Sequence, residues 1–297
     1  MISRKKKPKI LVTIPAYNEE KTIGTVISGV KRELRGYNYG IQIIDDGSTD
    51  KTVEISRKAG ARVVSHPKNY GLAAAFNTEL EEAIKSGADI IVHTDADGQY
   101  MAEEITLLIK EVEKGADLVL GSRFIGKIEA MPLVNRFGNM AFSSVISQII
   151  NQKITDAQTG FRAFTKQVAE SVKISSNYTY THEQLIRAER MKFKITEVPV
   201  TARKTRKSRL MKSPFDYALK AWITILRLYR DYEPLKFFGI IGGSLFLIGF
   251  LMGIFILATL IETGAVGGIP RVVLSALLIL TGIQIISLGF LADMNRR

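Results

Sequence analysis

Two carboxylates stand two residues apart in the stretch Asp95-Ala96-Asp97-Gly98-Gln99, which follows an apolar run at residues 90–92. Alternate side chains of an extended segment point to the same side, so these carboxylates would repel each other on their own. A hard divalent cation removes the repulsion and keeps open positions for substrate phosphates. The motif therefore predicts a metal site at Asp95, Asp97 and Gln99, although an isolated motif of this kind is more often a plain acidic turn.

Short apolar runs alternate with helix-like patterns up to residue 120. The predicted strands cover residues 10–14, 42–44, 62–64, 90–92 and 117–120. The predicted helices cover residues 19–34, 51–59, 73–85 and 102–114. This alternation predicts an α/β fold with a parallel, doubly wound sheet, because each crossover helix must lie on a face of the sheet.

Polar clusters follow four of these strands, at the carboxyl ends where open α/β sheets bind ligands. Asp45 or Asp46 suits a hydrogen bond from a base N–H or a ribose hydroxyl, and Tyr17 suits the face of a base. The first turn lacks the Gly-x-Gly-x-x-Gly of dinucleotide folds, and no complete Gly-x-x-x-x-Gly-Lys-Ser/Thr phosphate loop occurs. We therefore expect a nucleotide whose diphosphate is held through a metal instead of a glycine-rich loop.

Basic residues outnumber acidic ones by 41 to 29, which gives a formal net charge of +12. This surplus predicts acidic partners such as phosphorylated substrates or anionic lipid. Much of it lies in a basic run at residues 203–212, where no aromatic residues interleave as they would in a nucleic-acid platform. We therefore expect no nucleic-acid partner. The absence of cysteine excludes disulfides, thiolate zinc sites and cysteine nucleophiles.

Two uncharged apolar runs, at residues 237–261 and 272–291, are long enough to cross a hydrocarbon core of about 30 Å. A glycine-rich loop joins them, so they predict a transmembrane hairpin. Basic residues flank the outer ends of the hairpin more densely than its loop, which contains only Arg271. The positive-inside rule then predicts a multi-pass protein of the cell membrane with the N-terminal domain and both termini in the cytoplasm.

Apolar and basic residues alternate at helical spacing before the first span and predict a helix in the membrane interface. The resulting domain boundaries are 1–212 for a catalytic domain, 213–236 for the juxtamembrane helix and 237–297 for the hairpin. Glycine pairs at 239/243 and 249/253 suit close helix packing, either within the hairpin or in a homo-oligomer.

Five motifs together resemble family 2 glycosyltransferases of the GT-A fold, in particular the polyprenyl-phosphate group typified by dolichyl-phosphate mannose synthase. The motifs are Ile14-Pro15-Ala16-Tyr17-Asn18-Glu19-Glu20, Ile44-Asp45-Asp46-Gly47-Ser48-Thr49-Asp50, Asp95-Ala96-Asp97-Gly98-Gln99, Gly121-Ser122-Arg123 and Asp156-Ala157-Gln158-Thr159-Gly160-Phe161-Arg162. They occur in the family's order over about two-thirds of the chain. A further stretch, Glu197-Val198-Pro199-Val200 before the basic run, also follows the family's pattern.

The resemblance implies a role for each site residue. Nucleotide contacts fall on Pro15, Tyr17, Glu19, Asp45, Asp46 and Asp95. The resemblance also implies that Asp97 holds Mg²⁺ or Mn²⁺, with Asp95 and Gln99 assisting. The acceptor phosphate falls on Arg123, Arg136, Arg203, Arg206, Lys207 and Arg209. The sequence Arg206-Lys207-Ser208-Arg209 departs from the Gly-x-Ser-Lys of many relatives, so the choice among these cations stays open.

The implied reaction moves mannose or glucose from GDP-mannose or UDP-glucose to polyprenyl or dolichyl phosphate, with inversion, beside membrane lipid. Asp97, Arg123 and Asp156 are the expected catalytic residues. Since a phosphate monoester is already anionic at neutral pH, we expect Asp156 to position sugar or acceptor, with base catalysis as the minority alternative. Glu183 is a second candidate for sugar contact, or a helix cap.

Two other functions fit parts of the sequence. A polysaccharide synthase would need a Gln-x-x-Arg-Trp acceptor signature, but the only tryptophan, Trp222, lies between Ala221 and Ile223. A non-catalytic membrane-anchored scaffold would keep the nucleotide-sugar fold without its chemistry, and the intact Asp95, Asp97, Arg123 and Asp156 argue against it. The residues do not discriminate among sugars, bases or lipid chains.

Overall fold

The structure is a computed structural model that describes residues 7–174, 180–203, 214–266 and 268–295. The chain divides into two compact units, Met1–Tyr217 and Ala218–Arg297.

The first unit contains a seven-stranded sheet. Its strands are β1 Lys9–Ala16, β2 Asn38–Asp45, β3 Arg62–Ser65, β4 Ile90–His93, β5 Leu118–Ile128, β6 Arg162–Thr165 and β7 Ile195–Ala202. Their order across the sheet is β3-β2-β1-β4-β6-β5-β7. The chain therefore winds outward from β1 in both directions, and the predicted α/β class is confirmed.

The sheet is mixed, whereas the alternation of elements predicted a parallel one. β6 runs antiparallel to both β4 and β5, while all other pairs are parallel. β6 is only four residues long and passes directly into a helix at Lys166. A strand this short carries too little periodicity to be recognised, and its direction depends on the long excursion that precedes it.

Helices cover both faces of the sheet. They are α1 Ile23–Glu33, α2 Thr52–Lys58, α3 Leu72–Ser86, α4 Ile105–Glu113, α5 Leu133–Ile150, α6 Lys166–Ser171 and α7 Tyr180–Arg190. On α1, Ile23, Ile27 and Val30 lie at steps of three and four residues and are fully buried against the strands. Each such side chain contributes roughly 1.5–3 kcal/mol by leaving water. The apolar residues at helical spacing thus fix α1 against the sheet, and the packed helices hold the strands and their ends in place.

Two predicted helices differ from those observed at their first turn. The helix predicted from residue 19 begins at Ile23, and the backbone N–H of Glu19 donates to the Thr52 hydroxyl at the start of α2. The helix predicted from residue 102 begins with a 3₁₀ turn, Ala102–Glu104.

The second unit contains most of α8 Pro214–Tyr232, together with α9 Pro234–Thr263 and α10 Ile269–Met294. α9 and α10 have mean hydropathies of 2.6 and 2.3 over their most apolar windows, and both are long enough to cross a membrane. Pro234 and Pro270 lie in the first turn of each helix, where a missing N–H costs nothing.

Small residues let α9 and α10 pack closely as a hairpin. A Cβ atom on Gly242 would lie 2.6 Å from the Gly282 carbonyl oxygen, and the Ser275 hydroxyl donates to the Gly249 carbonyl at 2.8 Å. By contrast, no atom of the described residues lies within 4 Å of a Cβ on Gly239 or Gly243. The hairpin therefore uses the Gly249 pair of the predicted small-residue positions and leaves the Gly239 pair unused.

Candidate functional site

The loops after β1 and β2 are bonded into one wall at the carboxyl edge of the sheet. The backbone N–H of Asn18 donates to the Ser48 hydroxyl at 2.9 Å, and the Asn18 side chain accepts from the backbone of Thr49 at 2.8 Å. Asn18 has a φ of +55°, a conformation that asparagine tolerates better than most residues. The wall is thus fixed before any ligand arrives.

Four of the predicted nucleotide residues lie in or beside this wall. Pro15 is buried at the end of β1, and Tyr17 is 40% exposed in the loop that follows. The Glu19 carboxylate is nearly buried and accepts from the Thr22 hydroxyl at 3.2 Å. Asp45 is buried and accepts from the Ser48 backbone at 3.0 Å. Of these side chains, only the Tyr17 ring is largely exposed.

Asp46 organises the loop at residues 66–71. Its carboxylate accepts from the backbone N–H groups of Tyr70 and Gly71, each at 2.9 Å, and lies 2.8 Å from Nδ1 of His66. The second ring nitrogen of His66 lies 2.9 Å from the Thr78 hydroxyl. Asp46, which the sequence predicts as a nucleotide contact, therefore also holds this loop in place.

The Asp95–Asp97 pair follows β4, and the surrounding protein offsets the negative charge of these two carboxylates only weakly. Asp97 accepts from the Gln99 backbone at 2.9 Å, and Asp95 lies 3.9 Å from the Nε2 atom of His93. About a third of the Asp95 side chain is exposed (32%). Burial of the rest raises its pKa to about 6, against the opposing effect of His93 and with the help of the Asp97 charge. A cation at this position would favour the ionised carboxylate and so oppose this increase in pKa.

The residues present fit a magnesium or manganese ion. A Cβ atom added to Gly160 would lie 2.9 Å from Oδ2 of Asp95, so the glycine leaves open the space beside this carboxylate. The available donors are hard carboxylate and amide oxygens from Asp95, Asp97 and Gln99. In the part of the chain that the structure describes, no three acidic or histidine side chains form a metal cage. Magnesium sites that bind substrate phosphates characteristically use one or two carboxylates in this way.

A buried histidine supports the pair from below. His93 is fully buried, with Nδ1 at 2.6 Å from the Glu79 carboxylate and Nε2 at 2.8 Å from the Tyr180 hydroxyl. Burial raises the pKa of Glu79, while its contact with His93 opposes the increase. These contacts give His93 a structural role below the Asp95–Asp97 pair. Glu79 and Tyr180 were not predicted, because they approach from distant helices and no local motif marks them.

Asp156 and Arg123 form a buried, two-point ion pair. Nε and Nη2 of Arg123 donate to the two carboxylate oxygens at 2.7 and 2.9 Å, and the Arg123 backbone N–H donates at 3.1 Å. Asp156 is fully buried and Arg123 is 8% exposed. Burial opposes the charge on Arg123, but the neighbouring Tyr100, Asp156 and Asp95 raise its pKa above the ordinary value.

The antiparallel direction of β6 brings this pair to the Asp95–Asp97 pair. Arg162, the first residue of β6, is paired with His93 at the end of β4, so the loop that precedes β6 lies at the same edge. The Arg162 guanidinium is fully buried and donates to the carbonyls of Thr159 and Ala157 at 2.8 and 2.9 Å. It therefore holds the loop that carries Asp156, a role that the motif alone did not reveal.

The predicted acceptor cations occupy several elements. Arg136 is exposed on α5, where Leu133 and Phe137 are also 69% and 68% exposed. Arg203 follows β7, and its backbone N–H donates to the Gln99 carbonyl at 2.9 Å. This bond joins Arg203 to the loop after β4 that carries Asp95 and Asp97. Arg206, Lys207 and Arg209 lie outside the described residues.

Glu183, the second predicted sugar contact, lies on α7. Its carboxylate is buried and accepts from Nε of Arg187 at 2.8 Å. The helix-cap alternative concerns the residues before Tyr180, which lie outside the described residues.

Comparisons with known proteins agree with this arrangement. The profile of Glycosyl transferase family 2 matches residues 11–173. A dolichyl-phosphate hexose transferase of Haloferax volcanii is 33% identical over 196 residues, covering 65% of this chain and 82% of the relative. A dolichol-phosphate mannosyltransferase of Pyrococcus furiosus is 32% identical over 258 residues, covering 82% and 71%. Glucosyl-3-phosphoglycerate synthase of Mycobacterium tuberculosis, solved with Mn²⁺, UDP and glucosyl-3-phosphoglycerate, has the same fold, with a TM-score of 0.59, 21% identity and coverage of 75% and 79%.

Proposed function

Since the chain belongs to glycosyl transferase family 2, we propose that it transfers a hexose from a nucleotide sugar to polyprenyl or dolichyl phosphate, with inversion at the sugar carbon. The observation that carries this proposal is the Asp95–Asp97 pair at the end of β4, next to the space left by Gly160. Two relatives named for transfer to dolichyl phosphate support the choice of acceptor.

The donor is GDP-mannose or UDP-glucose, bound along the wall formed by the first two strand-end loops. Tyr17 stacks against the base, which its exposed ring and rigid loop favour. Pro15, Glu19 and Asp45 shape the base and ribose pocket. Asp46 is proposed as a nucleotide contact beside Asp45, and it also holds the loop at residues 66–71.

Asp97, with Asp95 and Gln99 assisting, would hold Mg²⁺ or Mn²⁺, which when bound would supply positive charge beside the diphosphate leaving group. The solved structural neighbour that contains Mn²⁺ and UDP supports a divalent ion for the family. Asp95 and Asp97 act here by holding charge in a fixed place, which is electrostatic stabilisation arranged before the reaction begins.

The acceptor phosphate binds among arginines, with Arg136 and Arg203 within the described part and Arg206, Lys207 and Arg209 beyond it. The exposed apolar residues Leu133 and Phe137 next to Arg136 suit an isoprenoid chain that carries a phosphate. Arg123 contributes its remaining terminal nitrogen, since Nε and Nη2 are already bonded to Asp156.

An acceptor phosphate oxygen attacks the anomeric carbon, a new C–O bond forms as the bond to the nucleoside diphosphate breaks, and the electron pair leaves with the diphosphate. The acceptor is already anionic at neutral pH, so no proton has to be removed first. Both oxygens of Asp156 accept hydrogen bonds from Arg123, which favours positioning over base catalysis for Asp156. Glu183 is the second candidate for contact with the sugar.

The enzyme acts at a membrane that α9 and α10 cross as a hairpin, with α8 at the interface. The excess of basic residues at the outer ends of the hairpin supports a cytoplasmic position for the catalytic unit and both termini. The domain boundaries that go with this placement are 1–212, 213–236 and 237–297.

The test is to incubate the purified chain in detergent with polyprenyl phosphate, Mn²⁺ and a panel of UDP- and GDP-hexoses, with Asp97→Ala as control. We expect glycosylated lipid from one donor, lost in Asp97→Ala and on chelation. Nucleotide binding without product from any donor would contradict transfer and favour a non-catalytic scaffold.

A further inference from the structure

Glu197 on β7 makes contacts that the proposed chemistry does not use. Its carboxylate oxygens accept from the backbone N–H of Thr155 at 2.9 and 3.0 Å and from the Thr155 hydroxyl at 3.0 Å. One oxygen also accepts from the backbone N–H of Asp156 at 3.0 Å. A strand carboxylate therefore holds the two consecutive backbone amides that lead into the Asp156 loop.

The register of the sheet also places Glu197 close in the fold to the strand that carries Arg123. Glu197 is paired with Leu120 on β5, and the next residues of β5 are Gly121, Ser122 and Arg123. The Ser122 hydroxyl contacts the Thr155 hydroxyl, so neighbours of both members of the ion pair meet at one point. Hydrogen bonds to an ionised carboxylate are roughly twice as strong as neutral ones, so this contact limits how far the loop can slide.

We propose that Glu197 is a positioning residue that sets the place of the Asp156–Arg123 pair, and through it the acceptor phosphate. The inference rests on the proposed function, because it concerns where that function places its acceptor. It accounts for the acidic residue at the start of Glu197-Val198-Pro199-Val200, a motif to which the site otherwise gives no task. No hydrogen bond among the described residues joins Glu197 to the loops after β1 and β2, so we expect its effect on the acceptor side.

The variant Glu197→Gln keeps the shape of the side chain but removes its charge and turns an amide group toward the two backbone donors. We expect faster hydrogen exchange at the amides of Thr155 and Asp156, and a fall of about 10- to 100-fold in kcat/KM for polyprenyl phosphate, because misplacement by about 1 Å costs up to about that much. Nucleotide affinity, measured by calorimetry with UDP or GDP, stays unchanged.

Two variants of Thr155, the residue that donates to Glu197, provide a second test. Thr155→Ser keeps the hydroxyl that donates to Glu197 and retains transfer, whereas Thr155→Val loses it and behaves like a weaker Glu197→Gln. Glu111→Gln is the matched control, since it makes the same chemical change in a carboxylate paired with Lys114 on a distant helix.

Unchanged exchange at Thr155 and Asp156 in Glu197→Gln would overturn the proposal. So would a parallel loss of nucleotide affinity and transfer, since that is the signature of a general structural defect. A wild-type chain that transfers no sugar at all would instead overturn the proposed function, while the exchange measurement would still decide whether Glu197 holds the loop.

Discussion

The carboxylates after β4 and the carboxylate of Asp156 lie at the same edge of the sheet but carry their charge in opposite ways. Asp95 and Asp97 stand two residues apart with no arginine or lysine bonded to either among the described residues, and the pKa of Asp95 is raised to about 6 by burial. Asp156 is fully buried, yet Arg123 bonds both of its oxygens. One region keeps a deficit of positive charge and the other has its charge balanced within the chain.

This difference suggests how the two substrates are handled. Under the proposed function, a cation would supply the positive charge that the region around Asp95 lacks and would couple this region to the donor diphosphate. The region around Asp156 needs no outside charge, so its arginine is held in a fixed direction before an anionic acceptor binds. Fixed charges of this kind cost no reorganisation during the reaction.

Mutation of the balanced region, the Arg123–Asp156 pair, should mainly lower the free energy of unfolding. Arg123→Met leaves the Asp156 carboxylate buried without its partner, and removing one member of a buried pair costs about 3–5 kcal/mol of unfolding free energy. Chemical denaturation of the detergent-purified chain measures this loss. The double variant Arg123→Met/Asp156→Leu removes both charges and should recover much of the stability. A single variant as stable as the wild type would mean that the pair contributes nothing to the fold.

The unbalanced region should fail in chemistry instead. Asp97→Asn removes a charge that repels Asp95, so we expect unchanged or slightly higher thermal stability. Transfer should fall by about 10²–10³-fold, the usual cost of losing one electrostatic contact to the transition state. Steady-state kinetics and the electron paramagnetic resonance of Mn²⁺ with UDP or GDP check both statements. A loss of stability comparable with that of Arg123→Met would erase the contrast between the regions.

The two regions also differed in how well the sequence predicted them. The residues of the Asp95–Asp97 pair are close in the chain and follow a buried strand, so a local motif was sufficient to mark them. The partnership of Asp156 with Arg123, and their support by Glu197 and Arg162, depends on the register of β5, β6 and β7.

The same division between local and long-range information applies to the fold. Apolar runs and helical periodicity predicted the early strands, the helices between them and the two long apolar helices. The direction of β6 and the loop contacts of Asp46 were not predicted, because they are set by segments far apart in sequence. Local patterns determine which elements form, whereas their pairing determines which side chains meet.

Crowding the boundary between the regions should have an intermediate effect. Gly160→Ala places a methyl group 2.9 Å from Oδ2 and 3.0 Å from Oδ1 of Asp95. Overpacking of this kind costs about 1–3 kcal/mol, which we expect as weaker Mn²⁺ binding and reduced stability together. Gly239→Ala is the matched control, since none of the described residues lies within 4 Å of its new methyl group. Equal behaviour of the two variants would show that the space beside Asp95 is not needed.

The smallest effect should come from the hydroxyl that joins the two regions. Tyr100 follows the loop that carries Asp95 and Asp97. Its hydroxyl lies 3.2 Å from the Thr159 hydroxyl and accepts from the Gly160 backbone N–H at 3.3 Å. Tyr100→Phe keeps the ring, which stacks on Phe161 at 4.9 Å between centroids, and removes only these bonds. We expect a loss of about 0.5–1.5 kcal/mol of unfolding free energy.

The pH dependence of this variant separates the hydroxyl from the ring. Burial raises the pKa of Tyr100 to about 12, so the folded chain keeps the phenol proton at a pH where the unfolded chain, near 10, releases it. The contribution of the hydroxyl to stability is therefore complete below pH 10 and is lost as the pH rises toward 12. Two pKa units correspond to about 2.7 kcal/mol, more than the two hydrogen bonds contribute, so the unfolding free energies of the wild type and Tyr100→Phe should converge above pH 10 and then cross. A difference that stays constant from neutral pH to pH 12 would mean that the pKa of the Tyr100 hydroxyl is the same in the folded and the unfolded chain, which would contradict its burial at this position.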